Sequence, residues 1–485
     1  MKFVRTHLVK ILFFIVAAYL AGCSFAPRYK RPAVETPATF KENSGTNNFD
    51  TNIWQVAQPN DAVIRTNWWE LFDDTNLNSL EDELAISNQN IVASFEDFLA
   101  AHAMVGQARS QYFPTLTASP SVTRDQLYSG GFALASSSRI INTFELPLDA
   151  SWQPDLWGRV RNTVRSSIAQ AQASAADLEN TKLTAQSELA SDYFQLRGQD
   201  ALEQLFAETV EAYSNSLHLT TVLYRTGIDS EEDVVQAETQ LRSTEAQATN
   251  LRILRAQLEH AIAVLIGRAP AELSIPQMPL TANPPNIPVA VPSYLLQRRP
   301  DIASAERAVA SANAQIGVAR AAYFPNLTLT ATGGFEAPNI DTLLDWSSRV
   351  WSLGASASQS IFDAGQRYYT VAQYKAAYNA SVAQYRQTVL TAFQGVEDNL
   401  SNLRILKVQI QQQEVAVQAA LKYVNLANYR YKLGIDSYLN VIVAQTSYLS
   451  NRQTLINLYT QQMTDAVQLV ENLGGGWDNS RLPKD

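Results

Sequence analysis

The sequence predicts an α+β membrane protein in which each chain is a tandem structural repeat. Three observations carry this. Glycine-centred motifs recur at an offset of 207 residues. Two proline-free runs of 69 residues each suit helices of about 100 Å. Between the helical stretches lie short segments that alternate apolar and polar side chains, the period of a half-buried strand.

The chain opens on a leader, residues 1–22. Lys2, Arg5 and Lys10 form a positive start, and Ile11 to Leu20 is an apolar stretch well short of the ~20 residues a spanning helix needs. It ends Leu20-Ala21-Gly22-Cys23, which resembles the bacterial lipoprotein box, so Cys23 is expected to carry a covalent lipid. Read instead as a small residue beside a cleavage site, Cys23 leaves unexplained why the single cysteine stands there. Ser24, in place of aspartate, favours the outer membrane by resemblance to enterobacterial lipoproteins. Residues 23–74 carry Pro27, Pro32, Pro37 and Pro59 and read as an extended, equatorial segment until Trp68-Trp69 and Leu71-Phe72 supply side chains to pack.

Repeat 1 covers 75–267, as a helix from Thr75 to Tyr112, a β-hairpin about 113–153, a long helix 158–226 and a helix 230–267. A proline-rich linker follows over 268–291, where proline density forbids a helix. Repeat 2 covers 292–474, as a helix from Pro292 to Tyr323, a hairpin about 325–361, a long helix 365–433 and a helix 437–473. The tail is 475–485. Gly158 and Gly365, Gly267 and Gly474, and the segments Tyr224-Arg225-Thr226-Gly227-Ile228-Asp229-Ser230 and Tyr431-Lys432-Leu433-Gly434-Ile435-Asp436-Ser437 keep the 207-residue spacing. Arg109 to Pro114 matches Arg320 to Pro325 at 211.

In the second long run Val371, Tyr374, Tyr378, Val382, Tyr385, Val389, Phe393, Val396, Leu400 and Leu403 fall about 3.6 residues apart, one helical face. Two shorter helices stacked end to end beside each long one would give a wall of even height. Phe144, Leu146, Leu148, Ala150 and Trp152 alternate with polar residues, as do Leu327 to Phe335 and Trp351 to Ala357; Leu116 to Val122 is a weaker fourth segment. Each is near the length of a transmembrane strand. Four strands leave two bare edges, which hydrocarbon does not tolerate. At least two chains must then share one barrel. The alternative is a small soluble sheet packed on helices.

Lys and Arg number 37 against 46 Asp and Glu, giving a formal charge of -9, and loss of the leader's three cations makes it more negative still. Nucleic acid is excluded as a partner, because that affinity rests on cationic neutralisation of phosphate. His7, His102, His218 and His260 are scattered without metal-ligand spacing, and no nucleophile elbow, phosphate loop or dinucleotide fingerprint stands out. The chain is therefore expected not to be an enzyme, and to hold neither metal nor cofactor beyond the lipid on Cys23. Only four methionines offer no support for a copper or silver relay.

The helix pairs, the doubled hairpin, the Phe-Pro entries at Phe113-Pro114 and Phe324-Pro325, the Tyr-x-x-Gly-x-x-Ser turns and the lipoprotein box together resemble the TolC family of outer-membrane efflux ducts, most closely its OprM-like (NodT-type) lipoprotein branch. The resemblance implies a homotrimer with a 12-stranded outer-membrane β-barrel, continued by a long periplasmic α-helical barrel. It also implies docking to a periplasmic adaptor protein and an inner-membrane pump of the resistance-nodulation-division type, which supplies the energy for transport. A lipid-anchored structural or adhesive periplasmic rod is the alternative; it explains the helices and the lipid but does not need the alternating strands.

On this reading the two Gly-Ile-Asp-Ser turns are the periplasmic tips, with Tyr224, Arg225, Gly227, Asp229, Ser230, Tyr431, Lys432, Gly434, Asp436 and Ser437 as adaptor-docking residues. Glycine permits the left-handed helix end and serine restarts the next helix as an N-cap. Asp229, Glu231, Glu232 and Asp233 crowd one tip, and three copies would make a negative aperture; an acidic first turn stabilised by the helix dipole accounts for them equally well. By resemblance, Tyr431 and Asp233 match a hydrogen-bonded pair that holds the duct closed. The family's second-link arginine corresponds to Asp436, and its constriction acids correspond to Asn440 and Val443. Leu439 and Val443 would then form a hydrophobic ring, with acid displaced to Asp436 and the other tip.

Overall fold

The computed structural model describes residues 26–37, 40–42, 67–129, 137–280, 284–285, 287 and 296–483. Cys23 and the 1–22 leader lie outside the described residues. In chain order the elements are α1 (Thr75–Ser87), α2 (Gln89–Ser110), β1 (Thr115–Ala118), β2 (Ser121–Ser129), β3 (Ser137–Trp152), α3 (Arg159–Arg225), α4 (Glu231–Leu265), α5 (Pro300–Ala321), β4 (Asn326–Ala337), β5 (Arg349–Ser358), α6 (Gln366–Lys432) and α7 (Tyr438–Asn472). The equivalent helices of the two repeats are equal in length: α2 and α5 have 22 residues, α3 and α6 have 67, and α4 and α7 have 35.

The helices form a wall four elements wide. Its half next to the sheet runs α2, α3, α5, α6, and its far half runs α4, α3, α7, α6. Thus α2 stacks on α4 and α5 on α7, each pair beside a long helix. The expected single helix from Thr75 to Tyr112 is instead two. Asn88 breaks it: its side chain accepts from the Asn90 and Ile91 amides at 2.9 and 3.0 Å to cap α2, and donates to the Leu265 carbonyl at 2.7 Å. That bond fastens the end of α4 to the start of α2, while α1 leaves the stack. The counterpart junction uses Arg299, which donates to the Asn472 carbonyl at 3.0 Å. The helix described as α5 starts at Pro300, which supplies a first-turn residue with no amide to satisfy; Arg299 breaks it from a helical turn at 296–298, and the expected start at Pro292 lies outside the described residues.

Small side chains let the wall close up. Ala169, Ala171, Ala173, Ala176, Ser166 and Ser187 of α3 are buried, and Ser166 meets Ser311 of α5 across 2.8 Å. The main core lies at the junction of the two halves, where Trp68, Trp69 and Phe72 of a short 3₁₀ turn pack with Tyr193, Phe194, Tyr385 and Val389. Phe72 and Phe194 ring centroids are 5.0 Å apart, and Tyr193 donates to Asp74 at 2.8 Å. Beside this core, Asp200 binds both Arg197 (3.1 Å) and Arg255 (2.7 Å), while the two arginines hold the carbonyls of Pro276 and Ile275. This buried network ties the linker to α3 and α4.

The N-terminal segment lies along α5 and α6. The Pro27 carbonyl accepts from Asn313, Arg31 reaches Tyr385, and the Lys41 amide donates to Glu397. Ala26, its first described residue, sits against Gly317, one turn from the end of α5.

Candidate functional site

The strands form one antiparallel sheet in the order β1/β2, β3, β4, β5, with β1 and β2 pairing successive parts of β3. The weak segment from Leu116 to Val122 is therefore two short strands. Pro120, which has no amide to donate, stands at the break. Cross-strand neighbours share a face, and the register puts the alternating residues in rows: Leu116, Ala150, Ala331 and Leu353; Leu148, Gly333 and Trp351; Leu146, Phe335 and Arg349. The result is one continuous apolar face. On the opposite face Ser121 donates to Glu145 at 2.9 Å and Thr332 to Asp149 at 2.6 Å.

This apolar face is bare. Leu116, Leu148, Trp351 and Leu353 are 69, 51, 77 and 76% exposed, and nothing among the described residues covers it or pairs the outer edges of β1/β2 and β5. Aromatic residues mark both rims: Trp346 and Trp351 at the end remote from the helices, and Phe113, Trp152, Trp157 and Phe324 where strand meets helix, the last two stacked at 5.0 Å. An apolar band between aromatic girdles is the form of a membrane barrel. No described helix is long and apolar enough to cross a membrane.

At the far end of the wall the two turns close with the same hydrogen bonds. The Gly227 amide bonds the Tyr224 carbonyl at 2.9 Å and the Ile228 amide the Leu223 carbonyl at 2.9 Å; Gly434 and Ile435 bond Tyr431 and Arg430 at 2.8 and 3.0 Å. Both glycines have positive φ, 78° and 68°, the left-handed end that glycine permits. Tyr224, Arg225, Lys432 and Ser437 are exposed.

The structure changes the expected gate pair. Tyr431 donates its phenol to Asp229, not to Asp233. Asp233 is committed to its own helix: it accepts from the Ser230 hydroxyl at 2.8 Å, while its amide donates to the Ser230 oxygen at 3.2 Å, a capping box. The Tyr431–Asp229 bond joins the α3/α4 turn to the α6/α7 turn of one chain. Burial, then the bond to Asp229 and the charges of Asp229 and Asp233, push the Tyr431 phenol well above its ordinary value. Tyr438 lies against it, ring centroids 5.3 Å apart, and its phenol is pushed up to about 12, chiefly by burial.

Asp436, the acid expected at the second tip, is paired within its own turn. Arg430 grips it with two bonds of 2.6 and 3.1 Å, a bidentate pair that holds the Asp436 carboxyl below its ordinary range. Glu231 and Glu232 are the exposed acids of the tips. Leu439 and Val443 are 53 and 49% exposed; one turn apart, they lie opposite the buried Tyr438, Val441 and Ala444. Sequence reasoning missed Arg430, whose signal was a cation six residues before an acid across a glycine turn.

The chain matches the family described as outer membrane efflux protein over residues 80–268 and 291–475, one stretch in each repeat. It belongs to that family. It is 32% identical to the probable efflux pump outer membrane protein TtgC of Pseudomonas putida, over 96% of this chain and 94% of that one, and 29% identical to outer membrane protein OprJ of Pseudomonas aeruginosa, over 96% of each. Its fold is similar to that of the outer-membrane channel OprN, with a TM-score of 0.86, 28% identity and coverage of 94 and 100%. The Campylobacter jejuni CmeC outer membrane channel superposes with a TM-score of 0.87, 25% identity and coverage of 95 and 96%. This chain is thus an outer-membrane exit duct that extends into the periplasm, not an enzyme. A helical rod without a membrane sheet is not supported.

Proposed function

We propose that three copies of this chain close a single 12-stranded barrel and, below it, a continuous helical conduit through which cargo passes passively from an inner-membrane pump. The observation that carries this reading is the sheet with two unpaired edges and one bare apolar face, which one chain cannot close in hydrocarbon. The flanks of the helical wall agree with it. On α2, Val92, Phe95 and Leu99 form an exposed apolar stripe at 42, 43 and 42% exposure, and on the opposite flank α6 presents Tyr374 and Tyr378 half-covered. A neighbouring copy would bury each flank against the other.

The pump is proposed to be of the resistance-nodulation-division type and to reach the duct through a periplasmic adaptor protein seated on the tips. Exposed Tyr224, Ile228, Leu433 and Ile435 stand beside Arg225 and Lys432 there, apolar and basic contacts for an adaptor's helical end. Between the lower halves of α3 and α6 an open groove of about 590 Å³ runs towards Lys432, lined by Glu208, Asn215, Asn425, Asn428 and Tyr429. Tyr431 and Asp229 act as the latch, with Leu439 and Val443 as the ring at the aperture. A lipid on Cys23 would lie close to the bilayer, because the segment that follows it begins against the sheet end of α5.

The experiment is the mass of the detergent-solubilised protein together with its planar-bilayer conductance. A heat-dissociable trimer with small openings is expected. A monomer inactive in every lipid would overturn the shared barrel.

A further inference from the structure

On the apolar face of the sheet, towards the rim remote from the helices, a cation stands in the row of Leu146 and Phe335. Arg349 opens β5 and shares its face with Trp351 and Leu353, in the row of Leu146 and Phe335. Its Nε donates to the Trp346 carbonyl at 2.7 Å, and its guanidinium lies 3.0 Å from the centroid of the Trp346 ring. These two contacts fix the group while using one of its five donors. No carboxylate pairs with it among the described residues.

Beside the arginine the surface is notched. Gly333 sits in the row between Leu148 and Trp351 with open space where a side chain would project. The notch, about 620 Å³, is lined by Leu146, Leu148, Phe335, Trp351 and Arg349. An apolar recess with a preset, unpaired guanidinium at its outer end has the shape and charge of one kind of occupant. Its apolar part must be long and thin, and its polar end anionic and able to accept several hydrogen bonds.

We propose that this notch binds a phosphate-bearing anionic lipid of the surrounding outer leaflet, its phosphate on Arg349 and one acyl chain over Gly333. The proposal rests on the sheet spanning the bilayer. Two facts select a lipid over a soluble anion. The notch lies on the face that only hydrocarbon can cover, and arginine near the edge of that band costs little, about 0–1 kcal/mol, so its charge can remain there and act on a headgroup. Bidentate pairing of guanidinium with phosphate supplies the specificity. Because β5 is an edge strand, the bound lipid would stand at the seam between neighbouring copies.

The test is native mass spectrometry of the full chain solubilised in mixed micelles holding equal phosphatidylglycerol and phosphatidylcholine. The wild type is expected to retain phosphatidylglycerol preferentially. Arg349→Gln should lower that retention about tenfold, the loss of one charge-assisted contact. Gly333→Leu fills the notch without striking backbone and should lower it similarly while leaving the arginine in place. Equal retention by wild type and Arg349→Gln would overturn the proposal. So would displacement by millimolar inorganic phosphate alone, which would mark a free-anion site. Falling apart of the assembly in Arg349→Gln, with lipid retention unchanged in Gly333→Leu, would assign the arginine to a carboxylate of the neighbouring copy and also overturn it. Failure of the wild type to enter liposomes at all would remove the bilayer-spanning reading beneath it.

Discussion

Replacing Tyr431 by phenylalanine should open the duct. The substitution removes only the phenol oxygen that donates to Asp229, while the ring keeps its contact with Tyr438 at 5.3 Å. Tyr431 is 6% exposed, so bulk water does not replace the lost bond freely. A hydrogen bond to a charged acceptor contributes about 1.5–3 kcal/mol, and each 1.4 kcal/mol is a factor of ten in an equilibrium. One latch per chain then shifts closed towards open by about 10- to 100-fold, and three latches released together by far more. Single-channel recording in planar bilayers reads this as a rise in open probability or conductance. The variant Asp233→Ala supplies the contrast, since it breaks a capping box worth about 1 kcal/mol and leaves the latch intact. The reasoning is refuted if Tyr431→Phe conducts as the wild type does, or if Asp233→Ala opens the channel while Asp229→Ala leaves it closed.

Gly434→Ala and Gly474→Ala place the same methyl group at a positive φ in equivalent motifs, but with different surroundings. At Gly434 the added carbon meets open space and the cost should stay near 1 kcal/mol, whereas at Gly474 it meets the Arg298 carbonyl and the cost should rise by a further 1–3 kcal/mol, read as a lower dissociation temperature. Asp200→Ala should cost about 3–5 kcal/mol by stranding Arg197 beside the core, measured by thermal unfolding in detergent, with Asp200→Asn milder. The latch should also respond to alkali. Because the Tyr431 phenol titrates higher in the folded protein than its ordinary 10.0, its contribution is complete below about pH 10 and is lost as pH rises beyond that, so open probability should climb in that range and not between pH 6 and 9. Finally, Asp436, held low by Arg430, stabilises its turn above its ordinary 3.8 and loses that contribution as pH falls through its lowered value, so protease nicking at the tip should increase only in strong acid.

Elements with a local cause were legible in the sequence. The left-handed helix ends at Gly227 and Gly434 could be read because nearest-neighbour backbone chemistry dictates them, whereas those at Gly267 and Gly474 were seen only as a repeat spacing. The long helices were bounded by glycine at 158 and 365, and the structure has Arg159–Arg225 and Gln366–Lys432. Period-two alternation likewise gave the faces of β3, β4 and β5, since a strand's side chains change sides at every residue whatever it packs against. The break at Asn88 was hidden by helix-compatible residues on both sides; it exists because Asn88 finds the Leu265 carbonyl, a partner 177 residues away.

The same division holds at the tip. The sequence by itself determined a tandem repeat, two glycine turns, four strand segments that cannot close alone, and the acids and tyrosines available at the turns. Tertiary structure alone decided which of those groups meet. Tyr431 chose Asp229 because Asp233 was already held by Ser230 one helical turn away, and Asp436 was taken by Arg430 across its own turn. Spacing along a chain fixes which residues share a helix or strand face, because local geometry repeats. Pairing between turns that lie 207 residues apart depends on how the packed helices aim their ends, and that is set by the small side chains and end-to-end junctions of the whole wall.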